Sequence, residues 1–351
     1  MTRSRPLVLL AAVVSLAFLA SACSSASGSD ESSTSSSAAL DTSAELVLYN
    51  AQHEDLMQTL VDGFTKETGI KVTMKNGKDF ELANQLVQEG AASPADVFVT
   101  ENSPAMTLVD SKGLFAPVDK ATLANVPSQF VPSSKKWTGF AARATVVVYN
   151  KDKLTKDQLP TSIMDLSKPE WQGKFGVAAG GADFQAIVSA VLAEKGTAAT
   201  EKWLTGLKTN AKIYQGNGAV MKAVNAGEIE AGVIYHYYWY KDQAESKANS
   251  ANTELDFLGN KDPGAFVSVS GAGVLKSSKH PKEAQKFVEY LTSKAGQKAL
   301  AGSTAMEYSI ASGVASNPAL KPLNELDPPK LDVAKLNGPK VVELMQKAGL
   351  L

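Results

Sequence analysis

Residues 45–74 read ELVLYNAQHEDLMQTLVDGFTKETGIKVTM. ELVLYN is a short β-rich run, and after a polar turn Leu56, Leu60 and Phe64 recur at helical spacing until Gly69 closes the pattern. KVTM then reads as a second strand. Strand, helix and strand in that order predict α/β units on a largely parallel sheet. The alternation continues with DFELANQLVQEGAAS (79–93) as helix, ADVFV (95–99) as strand and SPAMTLVDSKG (103–113) as helix. Sheets of this kind bind ligands beyond the carboxyl ends of their strands. One strand ends just before Gln52 and His53 and another at Glu101, so these polar residues are expected along one sheet edge.

A second series begins with the apolar RATVVVYN (143–150). It runs through GKFGVAAGGADFQAIVSAVLAEKG (173–196), ATEKWLTGLKTN (199–210) and GNGAVMKAVNAGEIEAGVIYHYYW (216–239), again alternating strand, Gly-rich turn and helix. GAFVSVSGAGVLKSS (264–278) then leads to a helix with Ala284, Phe287, Val288 and Leu291 on one face. Two α/β lobes joined by extended crossings near 141–148 and 267–270 make a two-lobed clamshell with a hinge and an interlobe ligand cleft.

The amino-terminal end carries Arg3 and Arg5, a short apolar run and small residues before Cys23, which reads as a signal peptide. Cys23 is the single cysteine, which excludes a disulfide within one molecule, and its place after Leu19-Ala20-Ser21-Ala22 resembles a lipoprotein lipobox. Lipidation there would hold the mature chain outside the cytoplasm at the cell membrane. The Ser-rich stretch that follows has no aromatic residue and predicts a flexible tether. The expected organisation is signal peptide 1–22, tether 23–44, lobe 1 at 45–143 and 269–319, lobe 2 at 144–268, and a helical segment 320–351 on lobe 2. With 35 Lys and Arg against 36 Asp and Glu and no basic block, nucleic acid is not an expected partner.

Tyr235 to Tyr240 spell YHYYWY. A phenolate is a hard anionic oxygen donor suited to a trivalent metal, and with a free pKa of about 10 only a strong Lewis acid displaces its proton at neutral pH. Neighbouring strand residues point to opposite faces, so Tyr237 and Tyr238 can share a metal only at a strand-to-helix junction after AGVIY. Taken alone, the cluster equally describes an aromatic packing patch. His53 and Glu101 likewise suit helix starts. Together with the two phenolates, an imidazole and a carboxylate carry a charge that a ferric ion neutralises. A metal-dependent hydrolase is a weaker reading, because Met57 replaces the second His of a metalloprotease motif and no G-x-S-x-G occurs.

LVLYNAQHEDLMQTLVDGFTKETGIKV (46–72), SPADVFVTEN (93–102), VVVYNKDKL (146–154), NAGEIEAGVIYHYYW (225–239) and DPGAFVSVSGAGVLKSSKHPKEAQKFVEYL (262–291) together resemble the ferric-iron-binding proteins of bacterial iron ABC transporters. These belong to the transferrin-like, type II periplasmic-binding-protein group. The resemblance implies a non-enzymatic, monomeric receptor that binds Fe(III) through His53, Glu101, Tyr237 and Tyr238 and delivers it to a permease and its ATPase. It implies a synergistic anion, phosphate or carbonate, near Arg143, Asn217 and the Gly180-Gly181-Ala182 turn, where family members carry Thr, Ser or Asn. Tyr235 stands where phosphate-using members often have Asn. The alternative within the same clamshell is a small organic or oxyanion solute such as a polyamine, thiamine or a phosphonate.

Overall fold

The protein is described here by a computed structural model covering residues 40–351; the expected signal peptide, Cys23 and the tether as far as residue 39 lie outside the described residues. Its first unit follows the periodicity of its sequence. β1 (Glu45–Ala51) leads into α1 (Glu54–Thr68), which buries Leu56, Met57, Leu60, Val61 and Phe64. Gly69, at φ 80°, ends α1 by donating its N–H to the Thr65 carbonyl, a left-handed cap that glycine adopts without steric cost. β2 (Lys71–Asn76) returns parallel to β1. After α2 (Asp79–Glu89), β3 (Val97–Thr100) also pairs parallel with β1, with Ala51 opposite Thr100, and α3 (Ser103–Ser111) follows. His53 and Glu101 therefore leave neighbouring strands at the same edge.

A short α4 (Lys120–Leu123) precedes β4 (Thr138–Asn150), which is buried along its whole length. Then come β5 (Phe175–Val177), α5 (Ala182–Asn210), β6 (Ala211–Ile213), α6 (Asn217–Asn225), β7 (Ala231–Tyr235) and α7 (His236–Glu245). Gly196 (φ 75°, ψ 172°) breaks α5 into two helices, where the sequence stops one helical run and starts another. β8 (Thr253–Asp256), β9 (Val267–Val274), α8 (Pro281–Thr292), α9 (Lys294–Gly302), β10 (Tyr308–Ser309) and α10 (Gly338–Lys347) complete the fold.

The strands form one continuous path, β2-β1-β3-β9-β4-β7-β5-β6, with β8 and β10 paired to β4. The sheet is mixed rather than largely parallel. The outer strands of each lobe pair in parallel, but β9 and β4 run antiparallel to their neighbours because they carry the chain between lobes. β4 pairs with β9 through Ala144 and with β7 from Thr145 onward, so Arg143 sits where the sheet changes lobe.

Each lobe has its own core. In lobe 1 Phe64 meets Phe287 edge to face at 5.0 Å, and Ala284, Val288 and Leu291 of α8 are buried beside them. In lobe 2 Phe184 stacks on Trp203 at 6.3 Å among Phe175, Val177 and Val233. Burying each such side chain contributes about 1.5–3 kcal/mol. Toward the carboxyl end Leu320, Leu326 and Val333 join a cluster with Phe98 and Trp137, whereas Leu336, Val341 and Leu344 join the Phe184 cluster. Among the described residues no helix is long and apolar enough to cross a membrane.

Candidate metal centre

Four side chains from two lobes meet at the sheet edge. His53, the residue before α1, places Nε2 3.5 Å from the Tyr237 hydroxyl and 3.8 Å from Glu101 Oε1. The Tyr237 hydroxyl donates to Glu101 Oε1 at 3.0 Å. The strand-to-helix junction falls between Tyr235 and His236, so Tyr237 and Tyr238 occupy the first turn of α7. Their rings stack at 4.3 Å between centroids, which turns both toward one side despite their adjacency.

The rest of YHYYWY has other roles. His236 is fully buried; its Nδ1 accepts the Ala144 N–H at 3.1 Å, and its ring stacks on Tyr308 at 4.6 Å. Burial pushes this imidazole down to about 3, so it is neutral. Trp239 donates its indole N–H to Thr253 at 3.0 Å and packs against Tyr240.

Charge around these four side chains is set by buried groups. Arg143 is wholly inaccessible and donates from Nη2 to Glu307 Oε2 (2.8 Å) and Ser270 Oγ (2.7 Å), and from Nη1 to the Glu101 carbonyl. Its Nε lies 3.9 Å from Glu101 Oε1. Glu307 Oε1 faces His53 Nδ1 at 3.3 Å. Burial opposes ionisation of Glu307, but Arg143 and His53 outweigh it and hold the carboxyl below its usual range. Burial likewise disfavours the His53 cation, and Glu307 and Glu101 more than compensate, raising its pKa. In the phenols burial wins, and the neutral form is favoured. Burial, followed by the Asp183 and Glu101 carboxyls, raises Tyr237 well above its normal value and raises Tyr238 too. At neutral pH both therefore keep their protons until a cation is present to replace them.

Of the residues expected to hold an anion, Asn217 engages a carboxyl group of the chain itself. Asp183, in the first turn of α5, is buried and accepts Asn102 Nδ2 at 2.9 Å and Asn217 Nδ2 at 2.7 Å. Burial, then Glu101, push it up to about 8. Tyr235 is fully buried and donates to Asn102 Oδ1 at 3.3 Å, so it too belongs to this network. Gly180, Gly181 and Ala182 form the turn into α5, and the Gly181 N–H is already given to the Ala178 carbonyl at 2.9 Å. Gly180 and Ala182 also line a cavity of about 570 Å³ with Asp79, Phe80, Gln185 and Val342.

Three acidic residues of this neighbourhood were not anticipated. Glu307 stands in a segment with no motif. Asp183 follows the Gly-Gly-Ala turn directly, and its place in a helix's first turn was the available signal. Asp79 accepts the backbone N–H groups of Glu101 and Asn102 at 2.9 and 3.0 Å, which fixes the loop carrying Glu101. Among the described residues no three His, Cys, Asp or Glu side chains are grouped to hold a metal. At the rim Lys241 of α7 reaches Asp55 of α1 at 3.3 Å, joining the two lobes.

Comparison with known proteins agrees with this architecture. Residues 92–335 match the family model described as bacterial extracellular solute-binding protein. The chain is 56% identical over 346 residues to the Fe(3+)-binding periplasmic protein of Serratia marcescens, covering 99% of this chain and 97% of that protein. It is 37% identical over 316 residues to the major ferric iron-binding protein of Neisseria meningitidis serogroup B, covering 89% and 95%. Among solved structures, iron-bound HitA of Pseudomonas aeruginosa superposes with a TM-score of 0.82 at 44% identity, covering 87% of this chain and 99% of that one. A Trichodesmium protein in complex with iron and citrate superposes at 0.75 and 28% identity, covering 87% and 99%.

Proposed function

The chain belongs to the bacterial extracellular solute-binding protein family, whose members bind rather than transform their solutes, and on that premise we propose that it captures ferric iron in the interlobe cleft. One observation carries this reading. An imidazole nitrogen and a carboxylate from lobe 1 lie 3.5 and 3.0 Å from a phenol oxygen of lobe 2, with a second phenol stacked beside it. His53, Glu101, Tyr237 and Tyr238 supply one neutral nitrogen and three anionic oxygens once the phenols ionise. Hard anionic oxygen of this kind favours a trivalent cation over divalent ones.

The iron would bridge the lobes, so its binding and cleft closure are one event. The remaining coordination positions would go to an exogenous phosphate or carbonate, or to the Asp183 carboxylate, which already engages the Asn217 amide expected to contact that anion. Arg143 offsets the negative charge of the donors from behind Glu101. Protonation of a phenolate or reduction to Fe(II) weakens hard-oxygen binding, and either would release the cargo. Delivery would be to a membrane permease driven by a cytoplasmic ATPase, with the receptor working as a monomer outside the cytoplasm, held to the cell membrane by lipid on Cys23.

Titrating the iron-free protein with Fe(III) citrate tests the proposal. We expect one equivalent to bind with a visible phenolate-to-iron charge-transfer band. A colourless complex, or heat of binding seen only with a polyamine, thiamine or a phosphonate, would reject iron as the cargo.

A further inference from the structure

We propose that Glu307 is the residue that makes His53 ready for metal, by fixing the imidazole in the tautomer whose Nε2 lone pair faces the cleft. The inference rests on the ferric-binding reading and adds to it a residue outside the donor set. Glu307 is fully buried and approached from three directions. Its Oε2 accepts from Arg143 Nη2 at 2.8 Å and from Gln52 Nε2 at 3.3 Å, so that oxygen is committed to two donors. Its Oε1 faces His53 Nδ1 at 3.3 Å. An ionised carboxylate has no proton to give, so the hydrogen of that contact resides on Nδ1. A neutral His53 then carries its lone pair on Nε2, the nitrogen 3.5 Å from the Tyr237 hydroxyl and 3.8 Å from Glu101.

The same contact holds the ring in place. His53 has a third of its side chain exposed and caps α1 without a side-chain hydrogen bond of its own. Free rotation about its side-chain torsions would move Nε2 out of the cleft. Its fixed partners are Glu307 on one side and the Tyr237 ring, edge-on at 5.2 Å, on the other. Carboxylate partners of metal-binding imidazoles act in this way, orienting the ring and raising its basicity. Arg143 completes the arrangement: by occupying Oε2 it leaves Oε1 for the histidine.

Glu307→Gln gives a sharp test because the amide has only one acceptor. Arg143 and Gln52 are both donors at the Oε2 position, so the amide oxygen must settle there and the NH₂ group must face His53 Nδ1. That NH₂ donates to Nδ1, moves the imidazole proton to Nε2 and points it at the other metal donors. The experiment is long-range ¹H–¹⁵N correlation of the iron-free protein at alkaline pH, where the ring is neutral. The chain has three histidines, so the His53 signals are identified by their loss in His53→Ala. We expect an Nδ1–H tautomer in the wild type, an Nε2–H tautomer in Glu307→Gln, and iron affinity lower by about 10- to 100-fold in the variant. In the His53→Ala background the same Glu307→Gln change should have no further effect on affinity, which a general loss of structure would not reproduce.

An Nε2–H tautomer in the wild type overturns the inference. So does a Glu307→Gln variant that binds iron with wild-type affinity, or one that loses as much affinity with His53 absent as with it present. Should Glu307→Gln not fold, the wild-type tautomer decides alone. Failure of the functional reading is a separate result, seen as wild-type protein that develops no charge-transfer band with Fe(III) whatever its tautomer.

Discussion

Arg143→Met removes the buried guanidinium of the centre while keeping an unbranched side chain that fills most of its space. In the wild type the guanidinium donates to Glu307 at 2.8 Å with neither side chain reached by solvent, and it also serves the Ser270 hydroxyl and the Glu101 carbonyl. Its loss leaves a carboxylate sealed in the interior. Breaking a buried pair by removing one partner costs about 3–5 kcal/mol. Unfolding entropy of about 2 cal/mol/K per residue gives roughly 0.6 kcal/mol per degree for some 300 ordered residues, so the melting temperature should fall by about 5–8 °C. The effect has a sign in pH. Glu307 now titrates below its usual range and stabilises the fold above the unfolded carboxyl pKa, a contribution lost on acidification. Without Arg143, burial raises that pKa instead, and the penalty grows as pH rises. Scanning calorimetry of the iron-free protein should therefore show a larger deficit at pH 8 than at pH 5, with most of it recovered in Arg143→Met/Glu307→Gln. A shift under about 2 °C, or one of equal size at both pH values, would refute the buried-charge account.

Tyr238→Phe should weaken iron binding by more than the ~100-fold that loss of an outer partner costs, and should dim the charge-transfer band. Tyr237→Phe also removes a phenolate donor, but iron must break the Tyr237–Glu101 hydrogen bond of the iron-free protein, so its loss offsets part of the effect and the variant should weaken binding no more than Tyr238→Phe; competition with a chelator measures both. Lys241→Gln removes only a half-exposed pair between the lobes, so stopped-flow iron release should quicken by no more than about fivefold, the equivalent of ~1 kcal/mol, and less as salt is added. Because the Tyr237 and Tyr238 phenols are raised, iron must displace their protons, so affinity should climb with pH. Potentiometry in weak buffer near pH 7 should record about two protons released per iron, and none released would contradict phenolate binding.

The parts of this molecule that were legible in advance are those set by local pattern. Leu56, Leu60, Phe64 and Gly69 specify α1 and its end through spacing and backbone preference alone, and the β1–α1 and β3–α3 turns then bring His53 and Glu101 to one edge. Neighbouring strand residues face opposite ways, so Tyr237 and Tyr238 could share a metal only past the end of a strand, and α7 does begin at His236. Strand direction in the middle of the sheet was not legible. β4 and β9 have the apolar character of any buried strand, and only their long-range pairing makes them antiparallel. Glu307 was invisible for a related reason: a buried carboxylate is tolerated because Arg143 lies 164 residues away in sequence, and no local pattern encodes that partner. Asp183 stood beside a turn that was singled out for its missing hydroxyls, and the acidic neighbour that engages Asn217 went unread.

The central claim is that one ferric ion joins the two lobes through His53, Glu101, Tyr237 and Tyr238. Diffraction from iron-loaded crystals on both sides of the iron absorption edge tests it most directly. The account predicts a single anomalous peak in the cleft, within bonding distance of His53 Nε2, a Glu101 oxygen and both phenol oxygens. A peak elsewhere, or one that leaves either tyrosine unbound, would contradict it.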